Sequence, residues 1–242
     1  HRDLHSFPTR RSSDLVKIKN LKLSNKYEYN KICYLECPNG TIYSEIDEIC
    51  FDIKNFETTI FTNYSSKINI VIIGRGNQSF LNDSFYLDPS VVIINGKIKK
   101  SCRKFCEFEY EENDVILYFN NSLESCEYMF SGRNNIKEID LSNFDFSVVT
   151  SMLDMFRDCT ILEKLELGNI NTSSVLNMEY LFFKCSSLSF INVSNFDTSS
   201  VTTMNRMFTY CYKLTTIDIS NFNTKNCTSL RSFINNCELL TS

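Results

Sequence analysis

The chain has 242 residues, 25 Lys+Arg against 29 Asp+Glu for a formal net charge of -4, and a hydrophobic content of 43%. That apolar content supports a packed core and excludes wholesale disorder, while the acidic balance excludes the clustered-cation surface that a nucleic acid or an anionic membrane requires. No apolar run approaches the ~18 residues of a membrane-spanning helix, so membrane attachment is left to segments outside this sequence.

In chain order, His1 to Leu15 comes first. It carries Arg10-Arg11 and Asp14 and has no apolar stretch of the kind a secretion signal needs. Its residues read as the translation of a common sequencing-library adapter, so residues 1–15 are taken as non-native, with the natural N-terminus missing. Both histidines, His1 and His5, fall inside it, leaving residues 16–242 with none and with a balance of 22 basic to 27 acidic, or -5. Without histidine there is no Ser-His-Asp triad, no Cys-His pair and no His-ligated zinc. With no cofactor motif either, the expectation is a non-enzymatic protein.

Residues 16–60 hold Cys33-x3-Cys37-Pro38 and then Cys50, in the manner of an extracellular cysteine-rich module. Residues 61–118 read as a β-rich capping region, with strand-like runs at Lys67–Ile73, Val91–Ile94, Phe105–Tyr110 and Val115–Phe119. The last of these is expected to start the sheet of the C-terminal half. Cys102-x3-Cys106 lies between two of the runs. Cys33, Cys37, Cys50, Cys102 and Cys106 are candidates for disulfides, with a four-thiolate zinc site or reduced structural thiols as the alternatives.

Residues 119–242 repeat. Met129-Phe130, Met155-Phe156, Leu181-Phe182, Met207-Phe208 and Phe233-Ile234 recur every 26 residues, and so do Ile136, Leu162, Leu188, Leu214 and Leu240. Within a unit, Met152, Met155, Phe156, Cys159 and Leu162 fall at i, i+3, i+4, i+7 and i+10, one face of a helix, with Thr150, Thr202 and Thr228 placed as N-caps of their units. Leu165-x-Leu167 then alternates as a short strand. A strand-turn-helix unit of this length predicts an α/β leucine-rich-repeat solenoid, truncated at its C-terminal end.

Two polar columns accompany the frame. Asn143, Asn169, Asn195 and Asn221 are expected to form a buried ladder satisfying backbone groups in the turn after each strand. Cys159, Cys185, Cys211 and Cys237 are expected to act as small buried hydrophobes, too far apart on neighbouring helices (~8–10 Å) to crosslink.

The segments Leu188-Ser-Phe-Ile-Asn-Val-Ser-Asn-Phe-Asp-Thr-Ser-Ser-Val-Thr-Thr-Met204 and Met204-Asn-Arg-Met-Phe-Thr-Tyr-Cys211 resemble the repeat of BspA-like leucine-rich-repeat surface proteins. The resemblance covers residues 120–242 and implies a cell-surface or secreted protein engaged in adhesion. Sequons at Asn39, Asn63, Asn77, Asn82, Asn120, Asn171, Asn192 and Asn226 permit the same compartment. Solvent-facing positions on the strands then define a concave ligand-binding face: Glu138, Asp140, Lys164, Glu166, Phe190, Asn192, Thr216 and Asp218. The expected function is extracellular recognition of a protein or glycan partner. The alternative is an intracellular scaffold with reduced cysteines.

Overall fold

The computed structural model describes residues 64–241, together with the backbones of two short strands, Thr41–Ser44 (β1) and Ile49–Asp52 (β2). The adapter-like residues, Cys33, Cys37 and the side chain of Cys50 lie outside the described residues.

Alternation of apolar and polar residues builds the N-terminal strands. Ser66–Ile73 (β3) buries Ile68, Ile70 and Ile72 on one face, and Glu112–Phe119 (β8) buries Val115, Leu117 and Phe119. The two pair antiparallel from Ser66 opposite Phe119 to Ile73 opposite Glu112. Val91–Ile94 (β5) pairs with the free edge of β8, and Lys97–Ile98 (β6), β1 and β2 extend that side. On the other edge, β3 receives Ile136–Asn143 (β9) antiparallel, and Lys164–Glu166 (β10) lies parallel to β9. The result is an eight-stranded mixed sheet in the order β10-β9-β3-β8-β5-β6-β1-β2, with Gly76–Ser79 (β4) and Phe105–Phe108 (β7) forming a separate antiparallel pair. The segment Val115–Phe119 therefore does not start the repeat's sheet. It lies within β8, and β3 is the strand that meets the repeat.

The α/β leucine-rich-repeat solenoid is not what forms. Among the described residues there is no helix, and the extended strands of the repeat region, β9 and β10, belong to the mixed sheet. The physical reason lies in two columns of left-handed backbone. Tyr128, Asp154, Tyr180, Arg206 and Ser232 have φ between 52° and 60°, and Gly132, Asp158, Lys184, Tyr210 and Asn236 have φ between 53° and 71°. Such residues cannot continue a right-handed helix. The segment that reads as a helix is instead a series of tight turns closed by bonds from Met155 N to Met152 O, Arg157 N to Asp154 O and Cys159 N to Phe156 O. Its apolar positions still point inward, which is why the spacing imitates a helix.

The amides that a helix would use internally run sideways. Met152, Asp154, Phe156 and Asp158 donate to the carbonyls of Asn177, Glu179, Leu181 and Phe183 in the following loop, at 2.8–3.1 Å. Met178, Tyr180, Phe182 and Lys184 repeat the pattern onto Thr203, Asn205, Met207 and Thr209. Thr150, Thr202 and Thr228 cap no helix: their hydroxyls donate to the carbonyls of Glu124, Leu176 and Thr202, each 26 residues earlier.

The interior follows this register. Phe130, Phe156, Phe182 and Phe208 stack face to face with ring centroids 5.7, 5.6 and 5.4 Å apart. Leu165 and Ile191 are buried in the same cluster and Ile217 packs against it.

Phe182, fully buried between two rings, is expected to cost about 3–5 kcal/mol when replaced by Ala. Phe190→Ala, at a ring 62% exposed, is expected to change stability by under about 0.5 kcal/mol. Urea unfolding followed by tyrosine fluorescence distinguishes the two.

Candidate functional site

The outward face of β9 and β10 carries the first four candidates. Lys164 stands beside Glu138 and Glu166 beside Asp140 in the parallel register. All four border a shallow hollow of about 440 Å3 whose far side is made by Asn69 and Val71 of β3 and by Asp114 and Ile116 of β8. Those N-terminal residues escape a reading of the sequence alone. The alternation of β3 is the available signal, since its odd-numbered residues face away from the core, but which strand joins the repeat is a long-range pairing that alternation does not reveal.

Asp140 is less free than its exposure suggests. Burial works to raise its pKa, but hydrogen bonds from the Ser142 hydroxyl and amide and from Asn69 Nδ2 outweigh it and hold the carboxyl below the ordinary range. Asn192 and Asp218 close the same local ring in later loops, accepting from the amides of Ser194 and Ser220 at 3.0 and 2.9 Å. The Ser220 side chain and amide likewise lower the Asp218 pKa. These three side chains brace the turn beneath them, and those of Asn192 and Asp218 are exposed.

A second hollow, of about 460 Å3, lies between β10 and the next loop, bordered by Lys164, Glu166, Asn169, Phe190 and Asn192. Here the lateral pairing lapses. Glu163 N bonds Lys137 O on one side and Thr215 N bonds Ser189 O on the other, and Phe190 bridges to Thr216. Among the described residues no backbone hydrogen bond joins 163–169 to 189–195. Gly168 contributes to this asymmetry. It sits at φ 58°, and a Cβ there would lie 2.6 Å from the Ser142 Cα, so glycine lets β10 close tightly against the loop before it. Thr216 and Asp218 continue the exposed face one loop further.

The Asn column is not the buried ladder expected. Asn143, Asn169, Asn195 and Asn221 are all exposed, because the bend after the strand is the outer corner of each loop and its backbone reaches water. Asn221 alone of the four bridges backward, donating to Ser194 O and Phe196 O at 2.8 and 2.9 Å. The buried polar role falls to a column that the sequence does not advertise. The hydroxyls of Thr172 and Thr198 are 0–1% exposed, accept from the amides of Asp197 and Asn223, and donate to the carbonyls of those same residues.

The cysteine column does two things. Cys159, Cys185 and Cys211 are buried and Cys237 half-buried, all as free thiols. Each Sγ also donates to a phenylalanine carbonyl in the preceding loop, Cys159 to Phe130, Cys185 to Phe156, Cys211 to Phe182 and Cys237 to Phe208, at 2.8–3.1 Å. The helix-to-helix spacing expected to separate them does not apply, since there are no helices among the described residues. Cys102 and Cys106 are joined as a disulfide, which removes them as thiolate zinc ligands. Among the described residues no cluster of His, Cys, Asp or Glu is arranged to hold a metal.

Residues 124–242, just under half of the chain, match a family model described as a Mycoplasma protein of unknown function, DUF285. The matched segment starts where the lateral loops start, so the similarity belongs to the repeat and leaves out strands β1 to β8. No curated protein and no solved structure matches the chain.

Burial pushes the Cys159 thiol from an ordinary 9.0 up to about 12, and raises Cys126 and Cys185 as well. The folded state keeps the Cys159 proton longer than the unfolded chain, so this contribution to stability is complete below pH 9 and disappears as pH rises through 12. The stability difference between the wild type and Cys159→Ser should therefore shrink across that interval in urea titrations, and a constant difference would contradict the burial argument. Native protein should leave Cys126, Cys159 and Cys185 unalkylated at pH 8 while Cys227 and Cys237 react, as read by mass spectrometry.

Proposed function

We propose that the protein is a non-enzymatic recognition module that binds a protein or glycan partner on the exposed strand face formed by β9, β10 and the loops after them. The observation that carries this reading is the lapse of lateral pairing between β10 and the Phe190 loop. There, two adjoining hollows share Lys164 and Glu166 on their border, and the exposed Phe190 ring lines the second of them. A pocket of a few hundred Å3 with one aromatic and several convergent polar groups has the composition of a recognition site.

Surface or extracellular residence is part of the proposal. The Cys102–Cys106 disulfide is of the kind that persists in an oxidising compartment, and the repeat's resemblance to BspA-like surface proteins supports the same placement. A glycan attached at Asn192 would cover the groove, so partner binding requires that sequon to be unoccupied.

The test uses the full chain on a glycan array and on immobilised extracellular-matrix proteins. Wild type is expected to bind a restricted set of these probes, and Phe190→Ala and Lys164→Glu are each expected to weaken that binding at least tenfold. Binding that survives both substitutions, or no binding to any probe, overturns the proposal. If native extracts contain Cys102 and Cys106 as reduced thiols, the surface placement falls and the intracellular scaffold takes its place.

A further inference from the structure

The turn side of the same loops holds a separate site. Phe183, Tyr210 and Tyr212 gather there, with Phe183 and Tyr210 edge to face at 5.5 Å and Tyr210 and Tyr212 at 5.9 Å. Two cations flank them. Lys184 Nζ lies 5.4 Å from the Phe183 ring centroid. The Arg206 guanidinium sits 5.7 Å over Tyr180 and donates to that residue's hydroxyl at 3.2 Å. All but Tyr180 border one hollow of about 530 Å3, to which Asn235 adds an amide.

The charge in this hollow is one-sided, because its lining has two cations and no carboxylate. Lys184 has a partner in Asp158 at 3.7 Å, but both side chains are solvent-exposed, at 49% and 37%, and such pairs hold weakly enough to exchange for a ligand. Arg206 is held in place by Tyr180, so its guanidinium is pre-oriented. Tyr212 is 40% exposed and lines the hollow.

The backbone decides against a peptide. Phe182 N bonds Met207 O, Lys184 N bonds Thr209 O, Phe208 N bonds Phe233 O and Tyr210 N bonds Asn235 O, at 2.9–3.0 Å. With these amides paired between loops, the floor of the hollow offers no open edge onto which an extended chain could add. What remains for recognition is aromatic surface, hydroxyls, an amide and two positive charges in a space that accommodates one or two pyranose rings.

We infer that this hollow binds an anionic saccharide, a sugar bearing a carboxylate or sulfate group. The acidic group is held by Lys184 and Arg206 through charge-assisted hydrogen bonds, and the apolar face of the sugar ring rests on the tyrosines. This site shares no residue with the strand face and stands whether or not that face binds a partner.

Tyrosine fluorescence provides the readout, since the chain has 12 Tyr and no Trp, with calorimetry as a second measurement. The full chain is titrated with oligogalacturonate, with a chondroitin sulfate oligosaccharide, with neutral chito-oligosaccharide and with sodium sulfate. Saturable binding of at least one acidic oligosaccharide is expected, and comparison of the first two probes tells carboxylate from sulfate. Tyr212→Ser and Arg206→Gln should each weaken it at least tenfold, and Phe190→Ala should leave it unchanged. Tyr212→Ser, at an exposed side chain, should unfold at the wild-type temperature, which separates loss of binding from loss of fold. Any of four results overturns the inference: no saturable binding of either acidic probe at millimolar concentration, equal binding of the neutral probe, sulfate alone competing as well as the oligosaccharide, or acidic-probe affinity that survives both substitutions.

Discussion

The lateral hydrogen bond from one loop's amide to the next loop's carbonyl is the constraint on which the C-terminal half of the molecule rests. A backbone amide has one proton to donate, and here Met152, Asp154, Phe156 and Asp158 donate it between loops. Turning the amides outward requires a left-handed residue twice in each loop, at a cost of roughly 1–2 kcal/mol wherever the residue is not glycine. That cost is offset only when the neighbouring loop supplies the acceptor and when the phenylalanine beneath it finds a ring to stack on. Loop conformation, core and register are consequently one property, and no single loop has it alone.

The same constraint explains where recognition can occur. Wherever the ladder is complete, the backbone is saturated and only side chains can recognise a partner, as in the hollow around Arg206 and Tyr212. Where it lapses, between β10 and the Phe190 loop, a hollow opens between the two segments, bordered by Lys164 and Glu166 on one and by Phe190 and Asn192 on the other. The glycine at position 168 draws β10 toward β9, and the opening lies on its other flank. The two faces of the repeat thus differ in what they can offer a ligand.

Much of this architecture is legible in the residues, and the parts that are not have definite physical causes. The 26-residue columns correctly align Phe130, Phe156, Phe182 and Phe208, because lateral stacking demands equivalent residues at equal steps. Strands β3, β5 and β8 announce themselves through β-branched residues and alternation. The helix assignment fails because two turns four residues apart point their apolar residues inward at the same spacing as a helical face. Asp154, Asp158, Gly132 and Asn236 carry the left-handed preference at those columns, but Tyr180, Lys184, Arg206 and Tyr210 occupy equivalent positions and mask it. The asparagine column misleads because a recurring carboxamide looks like scaffolding, whereas the threonines that do that work, Thr172 and Thr198, sit in polar stretches that look solvated. The outward strand positions are legible from alternation. The hollow on the turn side is not, since its residues come from several loops and meet only after the loops stack.

The most direct test of lateral pairing is trans-hydrogen-bond scalar coupling in isotopically labelled protein. Phe156 N should couple to the carbonyl carbon of Leu181 and Phe182 N to that of Met207, as the bonds of 3.1 and 3.0 Å require. Coupling of Phe156 N to the carbonyl carbon of Met152 instead, the pairing of an α-helix, would contradict the account at its foundation.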